Sequence, residues 1–167
     1  MDQIVVRAAT ARDLDQIARL WAALVEYHRR MDADLPEAAD GGPQRYARRL
    51  AERLADPSTC VLVAAQGKQV VGYVLGFVVD LTAEMFVQGA SGFLADIFVD
   101  EAYRGCGLGR SLVNELTEWF KERGVSYFEW HVAAHNHEGI AFWRAIGGRD
   151  VMLRMRADLH DDKGDTP

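Results

Sequence analysis

Residues 96–113 read DIFVDEAYRGCGLGRSLV, an apolar run that passes through a glycine-rich turn into a helical pattern. Ile97, Phe98 and Val99 have strand character, and Leu108, Leu112, Val113, Leu116 and Phe120 recur at the spacing of one helix face. Between them stands Arg104-Gly105-Cys106-Gly107-Leu108-Gly109-Arg110. Three alternate glycines let successive backbone N–H groups converge without side-chain interference, and the start of a helix adds partial positive charge. This arrangement suits a phosphate, and Arg104 and Arg110 bring charge of matching sign. The plain alternative is a tight turn whose glycines serve close packing alone. No GxxxxGK[ST] string occurs, and these glycines run GxGxG rather than GxGxxG. Glu129 lies at a plausible distance for a ribose-binding acid, but about sixty residues after the turn are too few for the sheet of a dinucleotide fold.

Working outward, residues 4–7 read as a first strand. Thr10 offers a helix cap, with Asp13 as capping partner, to a helix carrying Leu14, Ile17, Trp21, Leu24, Val25 and His28 and ending near Met31. Residues 32–43, DADLPEAADGGP, form a loop, and Pro43 opens a second helix with Tyr46, Leu50 and Leu54. Residues 59–65 and 69–79 are a hairpin pair, 80–91 have no clear pattern, and 93–99 are a further strand. After the helix, which Gly124 closes, come a strand over 125–132, a short helix over 138–146 and a last strand over 150–155. Hairpin strands first and crossovers later predict an α+β fold, a mixed sheet with helices on both faces. A single domain over 1–160 with a polar tail over 161–167 is expected.

With 167 residues and 49% hydrophobic composition the chain is long enough for one substantial core. A net charge of −6 gives no electrostatic footprint for nucleic acid and favours a cationic partner. No apolar run reaches the ~20 residues of a membrane span. Cys60 and Cys106 are too few for a disulfide framework, and a cytoplasmic protein is expected.

The string Arg104-x-x-Gly107-x-Gly109, following Ile97-Phe98-Val99, resembles the acyl-CoA pyrophosphate loop of the GNAT N-acetyltransferase superfamily. Downstream, Asn136-x-x-Gly139-x-x-Phe142-Trp143-x-x-x-Gly147 resembles that family's segment flanking the pantetheine arm. The two motifs stand in the expected order, and the resemblance runs from residue 4 to about residue 158. It implies an acetyl-CoA-dependent N-acetyltransferase with a mixed, mostly antiparallel sheet, direct transfer to a primary amine, no metal, and, from the habit of many members, a homodimer. The acyl-CoA would lie where the strand before the turn parts from the strand after the next helix. Backbone groups of Ile97, Phe98 and Val99 would pair with pantetheine, and the N–H groups from Gly105 through Cys106, Gly107, Leu108 and Gly109 to Arg110 would hold the pyrophosphate. Asn136 would bond the pantetheine amide and Trp143 would pack beside the sulfur.

Many relatives carry a tyrosine where this chain has Trp143, and an indole N–H has no accessible proton to give. The thiolate then departs unaided, or another donor or water serves. A non-catalytic acyl-CoA-binding domain of the same fold is the alternative reading, and a nicotinamide oxidoreductase a third.

Asp96 is the single charge in the run GFLADIFV, which makes it the candidate base or cation-orienting group. Its plain alternatives are pairing with an arginine or facing solvent. Residues 26–34 would cover the acceptor side, where Tyr27, His28 and the acidic residues could select a cationic small-molecule or peptide amine; Asp80 and Glu84 invite the same assignment. His131, His135 and His137 lack the spacing of HExxH and are expected in a solvated loop rather than on a metal.

Overall fold

The computed structural model describes residues 3–80 and 89–157. Glu84 and the tail expected over 161–167 lie outside the described residues. The chain divides into two compact units, residues 1–136 and 137–167.

In the first unit the order is β1 (Ile4–Ala8), a 3-10 turn (Ala11–Asp13), α1 (Leu14–Met31), α2 (Gly42–Arg53), β2 (Thr59–Gln66), β3 (Gln69–Val79), β4 (Ser91–Val99), a 3-10 turn (Glu101–Tyr103), α3 (Leu108–Lys121) and β5 (Phe128–Trp130). The second unit holds α4 (His137–Ala145). The five strands form one sheet in sequence order, antiparallel from β1 to β4 and parallel between β4 and β5. The expected mixed, mostly antiparallel α+β sheet is what the chain forms.

Side chains alternate across a strand, so β3 addresses two layers at once. Tyr73 and Leu75 join Ile17, Leu20 and Leu24 of α1 and Leu50 of α2 in one core. Gly72 and Gly76 point the other way, where a Cβ would meet Leu112 and Leu116 of α3. Helices therefore cover both faces. The α3 stripe Leu112, Val113, Leu116 and Phe120 is buried, as its spacing predicts, and Gly124 (φ +71°) closes the helix.

Two expected strands differ from the structure. The strand over 125–132 shortens to Phe128–Trp130, because only Gly92, Phe93 and Leu94 of β4 are in register to pair with it. The strand over 150–155 is not formed: residues 151–157 make no ladder. A strand needs a partner as well as a pattern, and the alternation of apolar residues could not reveal whether one was present.

The first turn of the chain is pinned by Asp13. Its carboxylate receives both Arg7 guanidinium nitrogens at 2.8 Å, the Thr10 N–H at 2.8 Å and the Thr10 hydroxyl at 2.9 Å. Arg7 foremost, helped by Thr10 and against the cost of burial, lowers the Asp13 pKa from 3.8 to about 2. A depressed carboxylate stabilises the fold above its unfolded pKa and loses that contribution as pH falls through the folded value. About 2 kcal/mol of unfolding free energy should disappear between pH 5 and pH 2 through this group. Urea titrations of the wild type and Asp13→Asn across that window measure it, since the variant lacks this part of the pH dependence.

Candidate active site

The parallel contact of β4 with β5 ends at Leu94, which pairs with Trp130. From Asp96 to Val99, β4 keeps its β3 ladder but has no β5 partner, so among the described residues no strand pairs with its other edge. A bulge sits at the same point. Leu75 and Gly76, adjacent on β3, pair with Asp96 and Leu94, leaving Ala95 as the extra residue. A bulge re-aims the side chains that follow it. It brings the Asp96 carboxylate under α2, where the Tyr46 hydroxyl donates to Asp96 Oδ2 at 2.8 Å.

The surroundings of Asp96 are aromatic. Tyr46 stacks on Trp21 with ring centroids 4.9 Å apart and planes 13° from parallel. Its ring also meets Tyr73 edge-on at 6.4 Å. The Tyr73 hydroxyl is fully buried and makes no hydrogen bond of good geometry among the described residues. Burial foremost, then the neighbouring Tyr46 and Asp96, holds its pKa well above the ordinary phenol value. Burial raises the Asp96 pKa above the ordinary carboxylate value; the Tyr46 hydrogen bond and the nearby His28 work against that rise. His28 is half-buried, and burial lowers its pKa against the pull of Asp96. The sequence singled out Asp96 and His28, and the structure brings them together. It did not single out Tyr46, whose helical spacing reads as ordinary core, or Tyr73, which sits in an apolar strand.

Past the end of β4 and its 3-10 turn lies the glycine turn. Gly105 (φ +77°) and Gly107 (φ +86°) both take left-handed backbone, and a Cβ at either would meet nothing within 4 Å. Conformation, not space, requires glycine here. Gly107 caps α3, and the Ser111 N–H reaches back to Gly107 O at 3.0 Å. The N–H groups of Leu108, Gly109 and Arg110, in the first turn, have no intrahelical acceptor and face outward as a set.

The two arginines differ. Arg110 is exposed in that first turn. Arg104 turns back toward the sheet, donating from Nε to Val99 O at 3.1 Å with its guanidinium 4.7 Å from the centre of the Tyr27 ring and 5.1 Å from that of Phe98. Glu101 lies 3.8 Å from it. Tyr27 thus braces the turn from α1, a contact that no spacing in the sequence announces. The Cys106 thiol is exposed and donates to Tyr103 O at 2.9 Å.

Asp80 is exposed just past the end of β3, five residues beyond the partner of Asp96, or about 16 Å along the strand. The structure does not bring it to the Asp96 cluster. His131 packs edge-on against Phe93 at 5.4 Å, and His135 Nδ1 lies 3.4 Å from Asp32 Oδ2. Among the described residues no three His, Cys, Asp or Glu side chains gather as a metal would require. Asn136 is the last residue of the first unit, its N–H on Ala133 O at 2.9 Å. Trp143 belongs to α4 in the second unit, edge-on to Phe142 with centroids 5.0 Å apart.

The family model described as Acetyltransferase (GNAT) family matches residues 18–147. The chain belongs to this family. It is an N-acetyltransferase, an enzyme that moves an acetyl group to an amine. Thialysine N-epsilon-acetyltransferase of Sus scrofa is 29% identical over 157 residues, which are 90% of this chain and 87% of that protein. A mutant of the BH1408 protein from Bacillus halodurans shares the fold with a TM-score of 0.84 at 24% identity, covering 93% of this chain and 99% of that one. Aminoglycoside N-acetyltransferase AAC(6')-Iy, solved in complex with CoA, shares it with a TM-score of 0.69 at 15% identity, over 94% and 97% of the two chains.

Proposed function

We propose that this N-acetyltransferase takes acetyl-CoA as donor, binds it in the opening between β4 and β5, and passes the acetyl group directly to a cationic primary amine. One observation carries the reading: β4 loses its β5 partner at Leu94, two residues before a half-buried carboxylate. An extended pantetheine arm would add to the open edge at Ile97, Phe98 and Val99 as a strand adds to a sheet. The pyrophosphate would then meet the N–H groups from Gly105 to Arg110, where backbone donors and the helix N-terminus converge. Asn136 is assigned to the pantetheine amide and Trp143 to the sulfur end.

At the thioester, the neutral amine attacks the carbonyl carbon, a C–N bond forms, and the C–S bond breaks to release CoA thiolate. A backbone N–H on the open stretch of β4 would stabilise the oxyanion. Alkylammonium groups titrate near ~10, so the acceptor must lose a proton to react. Asp96 takes that proton, directly or through water. The thiolate is a tolerable leaving group, with a thiol pKa near ~8.5, and departs without an acid from Trp143. Acetylation through Cys106 is disfavoured by its bond to Tyr103 O and by the lack of a histidine partner among the described residues.

The aromatic walls from Trp21, Tyr27 and Tyr46 suit a cation as well as an apolar chain. The name of the Sus scrofa relative makes thialysine and lysine the first acceptors to try, with polyamines, aminoglycosides and peptide N-termini in the same panel. A cytoplasmic location fits the two free thiols, Cys60 and Cys106. The expected result is thiol release that depends on both substrates, with product heavier by one acetyl group and intersecting double-reciprocal lines. Parallel lines would point to an acetyl-enzyme, and CoA binding without turnover on any amine would defeat the reading.

A further inference from the structure

Two exposed charges on one face of the sheet, Arg53 and Glu129, take no part in the chemistry described so far. Their common face follows from contacts. A Cβ at Gly92 would meet Phe120 of α3, and Phe128 stacks on Phe120 with centroids 5.3 Å apart. Phe93 and Glu129 come one residue later in each strand and are partners in register, so both point to the opposite face, where α1 and α2 lie. His131 has the same parity and meets Phe93 edge-on at 5.4 Å. On that face Phe77 of β3 is the register partner of Phe93. Arg53, the last residue of α2, holds its guanidinium 5.0 Å from the centre of the Phe77 ring. None of the salt bridges among the described residues involves Arg53 or Glu129.

These residues continue the floor on which Asp96 stands. Asp96 pairs with Leu75, and Phe77 with Phe93 is the next register position on the same face, about 7 Å along the strand. Phe77, Phe93, Ala95 and Asp96 are all partly open to solvent. Away from the carboxylate the floor is therefore aromatic, and its two rims carry opposite charge. Arg53 stands over Phe77, and Glu129 stands beside Phe93, with about 10 Å between the backbones of Phe77 and Glu129.

We infer that the acceptor is a free diamino acid, with its reacting amine at Asp96, its methylene chain on Phe77 and Phe93, its carboxylate on Arg53 and its α-ammonium on Glu129. The inference deepens the proposed function and rests on it. Length is the first match. Five single bonds of about 1.5 Å, in zig-zag, carry the amine of a four-methylene side chain about 6 Å from its α-carbon. That is close to the separation of Asp96 from the aromatic pair. Charge is the second. Arg53 opposes a second ammonium at that distance and so disfavours a simple diamine, while Glu129 opposes a phosphate dianion. A zwitterion is the head that both rims accept. Held over the Phe77 ring, the guanidinium still offers its N–H fork to a carboxylate, which it can bind through two parallel hydrogen bonds.

Three acceptors test it with saturating acetyl-CoA: L-lysine, cadaverine, which lacks the carboxylate, and ε-aminocaproate, which lacks the α-ammonium. Wild-type kcat/KM should be about 10-fold or more higher for lysine than for either analogue, the scale of a hydrogen bond to a charged group. Mass spectrometry should place the acetyl group on the side-chain nitrogen of lysine. Arg53→Gln should lower the lysine-to-cadaverine ratio by about 10- to 100-fold through the KM for lysine, and Arg53→Lys should restore part of it. Glu129→Gln should lower the lysine-to-aminocaproate ratio in the same way. Arg48→Gln, which removes another exposed arginine of α2, should leave both ratios at their wild-type values, and circular dichroism checks that each variant folds. A wild type that prefers cadaverine, or that acetylates other amines and not lysine, would overturn the inference and leave acetyl transfer to amines standing. An acetyl group on the α-nitrogen would overturn it as well, as would a lysine-to-cadaverine ratio unmoved by Arg53→Gln. Absence of turnover on every amine is the separate failure of the proposed function, and this inference would fall with it.

Discussion

Asp96→Asn should lower kcat by about 100- to 1000-fold, in the range that general acid–base groups contribute. The substitution keeps shape and one acceptor oxygen for the Tyr46 hydroxyl, so the fold and the CoA site should persist. What it removes is the site's capacity to accept a proton. The pH profile carries the sharper signature. Burial raises the Asp96 pKa, so the wild-type acid limb should fall above the ordinary carboxylate range, and in Asp96→Asn that limb should vanish. Tyr46→Phe works in the opposite sense to a simple loss. The Tyr46 hydrogen bond holds the Asp96 pKa down, so its removal should move the acid limb to higher pH while leaving the limb in place. Rates across pH 4–10 for the three proteins decide the matter. A pH profile in Asp96→Asn identical to that of the wild type would remove Asp96 from proton transfer.

Gly92→Ala should be the most damaging single methyl group in the sheet. A Cβ there would stand 2.6 Å from Phe128 Cβ and 2.7 Å from Phe120 Cε1. The first contact is with the rigid root of a side chain in β5, which cannot swing aside. Overpacking of this kind costs about 2–3 kcal/mol, which lowers Tm by about 5–10 °C in a chain of this size. The damage is also functional, because the methyl pushes β5 off the three residues of β4 that it pairs with. Affinity for CoA should weaken along with Tm. Gly89→Ala, where a Cβ would meet nothing within 4 Å, is the matched control and should leave both unchanged.

The parts of the fold that declared themselves in sequence are those with a local cause. The α3 stripe, the capping partnership of Thr10 and Asp13, Pro43 at the start of α2 and Gly124 at the end of α3 each answer to a rule spanning a few residues. The glycine turn belongs to the same class, because left-handed backbone at Gly105 and Gly107 leaves its mark as residue type. Features set by pairing across the sheet left no such mark. The three-residue length of β5 depends on where β4 bends, and the bend depends on a bulge at Ala95 that alternation cannot reveal. Tyr46 lies fifty residues from Asp96, and only the packing of α2 on the sheet makes them partners. Arg104 shows the limit most plainly: its place in the motif could not announce that its guanidinium rests against the rings of Tyr27 and Phe98.

That position of Arg104 bears on how the enzyme responds to its medium. Its charge is engaged by a carbonyl, a carboxylate and the faces of Tyr27 and Phe98. On the proposed reading, an incoming diphosphate then meets oriented peptide N–H groups, which carry no net charge, together with the exposed Arg110. Interactions between separated net charges fade as the Debye length shrinks from about 10 Å at 0.1 M salt to about 3 Å at 1 M, whereas contact with fixed dipoles does not depend on that length. Under the proposed reading, the part of donor binding that salt can weaken falls to the exposed Arg110, and on the acceptor side to the meeting of the Asp96 carboxylate with a cationic amine.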